Sequence, residues 1–181
     1  MLLRKTVKTR FNLEMSLEAG IVKAALAIKP DQATLVPERR QEITTEGGLD
    51  VVRHLKRIKK VSRALLKAGI DVSLFIAPDK KQIDAASKIG VNTVELHTGS
   101  YARAFADQRA VDEFAQIKAM TLYARRLGMI VNAGHGLNYD NIYAIARIKG
   151  MAELNIGHAI MSRAVFVGLK QAVREMINII K

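Results

Sequence analysis

Residues 131–142 read VNAGHGLNYDNI and residues 153–160 read ELNIGHAI. In both, an apolar run carries an Asn near its end and a Gly-His pair follows: Gly134-His135-Gly136 in the first, Gly157-His158 in the second. Glycine permits positive φ and lets a backbone approach a ligand closely. The free N–H groups and dipole at a helix start attract anions. The pattern predicts a pair of phosphate-binding turns, with two tight turns around buried, satisfied histidines as the alternative. Other polar residues close apolar runs in the same way: Glu14 in FNLEM, Glu38 in ATLVPE, Glu95 and His97 in NTVELH, Asn132 and Asn155. Three of the four histidines fall at such places, and His54 alone lies in a helical pattern.

Glu14 is flanked by Leu13 and Met15, so its carboxylate is expected to look inward from a partly apolar setting. Such burial raises a carboxylate pKa toward the range of general acid-base work. Glu95 has the same placement. Two carboxylates and a histidine on one rim suit several sequential proton transfers. His97, His135, His158 and a glutamate also suit a divalent ion, and spacing across separate segments leaves that alternative open. The segment PERRQEITTEGGLD, residues 37–50, is long and polar. Its Thr44, Thr45, Gly47 and Gly48 can donate to phosphate oxygens and hinge, which predicts a substrate-closing lid, an ordinary surface loop being the alternative.

These residues need elements to position them. Short apolar or β-branched runs at 10–15, 33–38, 71–76, 92–97, 129–134 and 152–157 predict six strands. Amphipathic stretches at roughly 16–28, 49–68, 79–88, 107–127, 139–148 and 159–180 predict a helix after each. Glycines in KAGIDVSL and RRLGMIVN stand where αL caps would end helices before the next strand. Unbroken strand-helix alternation specifies parallel strands with helical crossovers. A GxGxxG turn after the first strand would favour a doubly wound dinucleotide-binding sheet, and it is absent. The pattern favours a TIM (β/α)8-type barrel, whose enzymes carry their chemistry at the C-terminal strand ends and often bind phosphate after strands 7 and 8.

Composition narrows the classes further. At 181 residues and 49% hydrophobic, residues 1–181 are expected to form a single domain. With no cysteine there is no disulfide, thiolate metal site or thiol nucleophile. Lys23, Lys67 and Arg174 interrupt the most apolar segments, so no membrane span is expected. The net charge of +12 raises the question of nucleic acid. Only HLKRIKKVSR, residues 54–63, is concentrated, and Leu55, Ile58 and Val61 at helical spacing make it the solvated face of an amphipathic helix. A nucleic-acid partner would rest on charge alone and is not expected.

FNLEM, LVPERRQEITTEGGLDV, VSLFI, ELHTGSYA, VNAGHGLNYDN and ELNIGHAI, in this order, resemble the pyridoxine 5'-phosphate synthase (PdxJ) family of vitamin B6 biosynthesis over essentially the whole chain. The resemblance implies a cytoplasmic transferase that condenses 1-deoxy-D-xylulose 5-phosphate with 3-amino-2-oxopropyl phosphate, releasing pyridoxine 5'-phosphate, phosphate and water. It implies no metal or cofactor, and a homo-octamer of barrels. By motif, Glu14 is similar to a catalytic proton acceptor, His135 to the proton donor and Glu95 to a carboxylate that stabilises the transition state. Thr44 is similar to the residue contacting the deoxyxylulose phosphate. Gly136, Gly157 and His158 resemble positions that bind the aminoketone phosphate.

The resemblance departs at the front. The chain offers six of eight strand-helix units, those of strands 3 to 8, and LLRKTVKT resembles the tail of the helix before strand 3. In the family the first two units carry an Asn-x-Asp-His strand end, substrate-binding arginines and a further catalytic histidine, which have no counterpart here. The expectation is that Met1 is an internal methionine of a longer protein; a remnant or non-catalytic subunit that binds phosphometabolites is the alternative. The 181-residue chain purified alone is predicted to show little or no synthase activity. A product-formation assay at full turnover would refute this.

Overall fold

The computed structural model describes residues 2–38, 40–44, 47–107 and 110–181. The fold is α/β. Strands β1 (Asn12–Met15), β2 (Gln32–Leu35), β3 (Asp71–Ile76), β4 (Thr93–His97), β5 (Ile130–Gly134) and β6 (Met151–Asn155) follow one another in sheet order as in the chain. The pairs β1–β2, β2–β3 and β5–β6 are parallel. Between and around them lie helices α1 (Leu2–Thr6), α2 (Ala19–Ile28), α3 (Leu55–Lys67), α4 (Lys80–Ile89), α5 (Gly99–Ala106), α6 (Ala110–Arg126), α7 (Ile142–Ala146), α8 (His158–Val167) and α9 (Leu169–Ile180). The chain divides into two compact units, Met1–Glu95 and Leu96–Lys181.

In the first unit the register sets Asn12 beside Gln32 and Asp71, and Glu14 beside Thr34 and Ser73. Paired residues share a face and successive residues alternate, so one face of β1–β3 is polar. The other carries Leu13, Met15, Ala33, Leu35, Val72 and Leu74. Met15, Leu35 and Leu74 are buried, as are Ile58 and Leu65 of α3 and Ile83 of α4. Each such side chain contributes roughly 1.5–3 kcal/mol of transfer free energy. On the polar face Thr34 Oγ1 donates to Asn12 Oδ1 at 2.9 Å. The basic stretch on α3 behaves as expected: Ile58 and Leu65 turn inward while Lys56, Lys60, Arg63 and Lys67 stay exposed.

In the second unit Val131 and Ala133 of β5, Ile117 of α6, Ile142 and Ile145 of α7 and Met176 of α9 are among the buried apolar residues. The expected αL caps are present at Gly69 and Gly128, with φ of 79° and 81°. After each, the next N–H reaches back to the last helical turn, Ile70 to Leu65 O and Met129 to Ala124 O, both at 3.1 Å. These bonds satisfy carbonyls that a helix end leaves open.

Three predicted helices need correction. The stretch expected to be helical from 49 begins its regular helix only at Leu55, with His54 in the N-cap position. Two helices follow β4 instead of one, because α5 starts directly on Gly99. The run 159–180 is two helices separated by Gly168, whose φ of 81° and ψ of 152° end α8. Such a conformation is essentially confined to glycine, and hydrophobic periodicity runs through it without a mark.

Arg163 of α8 spans the break to Glu175 of α9, with Nε at 2.8 Å from one carboxylate oxygen and Nη2 at 3.3 Å from the other. The Arg163 hydrogen bond, aided by Gln171, holds the Glu175 carboxyl below its ordinary value of 4.5. A carboxyl depressed in the folded state stabilises fully above its unfolded pKa, and that contribution fades as pH falls through the folded value. Glu175→Gln is therefore expected to lower the thermal midpoint at neutral pH, with the difference from the parent chain closing below about pH 4. Melting curves from pH 3 to 7 check this.

Candidate active site

β5 ends on Gly134, which pairs with Asn155 of β6. The two Gly-His turns thus leave neighbouring parallel strand ends. At the first, His135 and Gly136 both take left-handed backbone, with φ of 80° and 79°. Glycine accepts this freely, and Gly136 is also required sterically: a Cβ there would stand 2.7 Å from Ala102 Cβ. For His135 the conformation costs of order 1–3 kcal/mol and persists only where the surroundings hold it.

The surroundings are specific. The Thr98 N–H donates to Gly134 O at 2.9 Å, and Thr98 Oγ1 lies 2.7 Å from both Gly134 O and His135 O. Asn141 Nδ2 donates to Gly136 O at 3.1 Å. Asn141 is itself set by Asn138, whose Oδ1 accepts from Asn141 N at 3.1 Å, and by Tyr101, whose hydroxyl donates to Asn141 O at 2.8 Å. Desolvation by burial raises the Tyr101 phenol above its ordinary value. The exposed His135 ring stacks on the buried His97 ring, centroids 4.8 Å apart and planes 26° apart.

At the second turn, Gly157 occupies the N-cap of α8 and His158 its first position, and both are exposed. A Cβ on Gly157 would meet nothing within 4 Å. Open space at a helix start beside a histidine has the chemistry of an anion site. Asn132, two residues before Gly134, is buried, and its Oδ1 has no hydrogen-bond partner in this structure.

The first unit holds the other expected residues. Glu95 of β4 is buried, as expected. Glu14 is exposed, and this corrects the expected apolar setting. The reason is strand geometry: Leu13 and Met15 are its neighbours in sequence but point to the opposite face, toward the helices, while Glu14 shares the face of Thr34. Glu38 follows β2 by three residues, and its N–H donates to Glu42 Oε2 at 3.0 Å.

The segment expected to be a lid is anchored. Glu42 is buried, and its Oε1 accepts from Arg57 Nη1 at 2.8 Å. Ile43 and Leu49 form an antiparallel bridge, and Thr44 Oγ1 donates to Gly47 O at 2.6 Å. Gly48 packs so closely on the end of β3 that a Cβ would stand 2.7 Å from Ile76 C. Thr45, also expected to donate to phosphate, lies outside the described residues. Among the described residues no three or more His, Asp or Glu side chains gather as a metal ligand set.

Thr98, Gly99 and Asn141 escaped the sequence reading. Thr98 and Gly99 sit in ELHTGSYA, where a Thr-Gly pair after a strand reads as loop chemistry. Asn141 lies in NYDN, whose signal is an Asx turn begun by Asn138.

The whole chain, residues 1–181, matches the family model described as pyridoxal phosphate biosynthesis protein PdxJ. The pyridoxine 5'-phosphate synthase of Geotalea uraniireducens (strain Rf4) is 52% identical over 180 residues, covering 99% of this chain and 75% of that protein. The proteins of the same name from Synechococcus sp. (strain RCC307) and Prochlorococcus marinus (strain MIT 9313) are each 54% identical. They cover 97% and 99% of this chain and 69% and 73% of their own lengths. The chain thus spans roughly seven tenths to three quarters of these relatives.

The two turn glycines should respond differently to a methyl group. Gly136→Ala meets both a left-handed φ and Ala102, and is expected to cost about 1–3 kcal/mol. Gly157→Ala is expected to leave stability within about 0.5 kcal/mol. Denaturant unfolding of the two variants measures the contrast.

Proposed function

We propose, from the premise that this chain belongs to the PdxJ family of pyridoxal phosphate biosynthesis proteins, that it is a pyridoxine 5'-phosphate synthase of vitamin B6 biosynthesis. The observation that carries this is the match over all 181 residues, joined to two Gly-His turns on the ends of adjacent parallel strands. The proposed substrates are 1-deoxy-D-xylulose 5-phosphate and 3-amino-2-oxopropyl phosphate. Residues 1–181 are read as part of a single (β/α)8-type barrel domain. The proposed setting is a cytoplasmic homo-octamer that works without metal or cofactor. No described helix is long and apolar enough to cross a membrane.

Building a pyridine ring from an aminoketone and a second ketone proceeds by imine formation, enolisation, loss of phosphate and loss of water. Each step moves a proton, and no step is a net oxidation. The residues suit that work. His135 stands exposed at a strand end with its backbone held, and acts as proton donor. Glu14, exposed on the polar strand face, is open to substrate and acts as proton acceptor. Glu95, buried on β4, stabilises charge that develops in the transition state. Gly136, Gly157 and His158 bind the aminoketone phosphate: Gly157 leaves the room for it, and His158 with the first N–H groups of α8 supplies the donors. Thr44 contacts the deoxyxylulose phosphate.

Assays on the protein at its native length separate these roles. His158→Ala removes a charge-assisted donor and is expected to raise KM for the aminoketone about 10- to 100-fold with a smaller effect on kcat. His135→Gln is expected to lower kcat about 100-fold or more while KM changes little. Unchanged kcat in His135→Gln would remove the histidine from the mechanism.

A further inference from the structure

We propose that Thr98 is the positioning residue for His135, a role that rests on the reading of His135 as proton donor. Its placement is unusual. The peptide group before His135 Cα carries Gly134 O, and the one after it carries His135 O. Rotation of the first sets φ and rotation of the second sets ψ. Thr98 reaches both: its N–H donates to Gly134 O at 2.9 Å, and its hydroxyl, 2.7 Å from each carbonyl, is left to donate to His135 O. One residue therefore fixes the two torsions that aim the imidazole, at a φ of 80° that a histidine does not hold unaided.

Thr98 is wholly buried, so both of its donors are held on the inner side of the turn. The next residue completes the device. A Cβ on Gly99 would stand 2.5 Å from His97 Cε1 and 3.0 Å from His135 Cδ2, so the space beside Thr98 belongs to the two stacked rings. The Thr-Gly pair grips the backbone of the donor with its first residue and houses its ring with the second. Without the hydroxyl, His135 O loses its donor, the peptide group that sets ψ is freed, and the turn relaxes out of the left-handed region, carrying the ring off the stack with His97.

The test compares side chains that differ by one oxygen, in the protein at its native length: Thr98→Val against the parent, and Thr98→Ala against Thr98→Ser. The hydroxyl-free members are expected to lose kcat on the order of 10- to 100-fold, with KM for both phosphorylated substrates changed less than about threefold and a shifted alkaline limb in the kcat–pH profile. Thr98→Ser is expected to retain kcat within about threefold of the parent. If the valine chain does not fold, the Ala/Ser pair decides alone. Equal kcat in Ala and Ser overturns the proposal, because packing then explains any loss.

Crystal structures of the Ala and Ser variants give a readout independent of turnover. Residue 135 should leave the left-handed region in Ala and keep it in Ser; left-handed backbone in both overturns the grip. His135→Gln, run alongside, separates the two layers. If it abolishes turnover while Ala matches Ser, the positioning role fails and the proton donor stands. If it leaves turnover intact, the donor reading fails, and the torsion at residue 135 still judges the grip.

Discussion

Parallel pairing of Glu14 with Thr34, of Thr34 with Ser73 and of Gly134 with Asn155 fixes which side chains share a face and where neighbouring strands stop. Everything chemical in each unit is arranged by that ladder. It segregates Asn12, Glu14, Thr34 and Ser73 from Leu13, Met15, Leu35 and Leu74. It also brings the two Gly-His turns out of adjacent strand ends, where helix starts and strand ends meet. The apolar face supplies most of the stability, which leaves the polar face able to carry groups that folding alone would not select.

The backbone at His135 shows how such a face is used. Histidine in the left-handed region is a local violation of conformational preference, and it is answered by interactions from two other segments, Thr98 before α5 and Asn141 before α7. Strain at a side chain proposed to react, compensated by hydrogen bonds from other segments, fits a site whose geometry outranks its local stability.

The strand-helix alternation, the parallel arrangement and the αL caps at Gly69 and Gly128 were legible because they rest on local periodicity and on residues with one conformational use. The Gly-His turns were legible for the same reason. Glu14 was misjudged because its sequence neighbours were taken as its spatial neighbours, and in a strand they are the residues farthest from sharing its surroundings. Thr98 was invisible because threonine is common after strands and its partners lie 36 and 37 residues away. The division of the last helical run at Gly168 was missed because apolar spacing continues on both sides of a single torsion.

Tyr101 is buried and bonded through its hydroxyl to the carbonyl of Asn141, whose amide holds Gly136. The chain contains four tyrosines and no tryptophan. Ultraviolet emission from residues 1–181 is therefore tyrosine emission, undrained by energy transfer to indole. Tyr101 is thus one of four built-in fluorophores, and it is tied by its hydroxyl to the residue that holds the histidine turn.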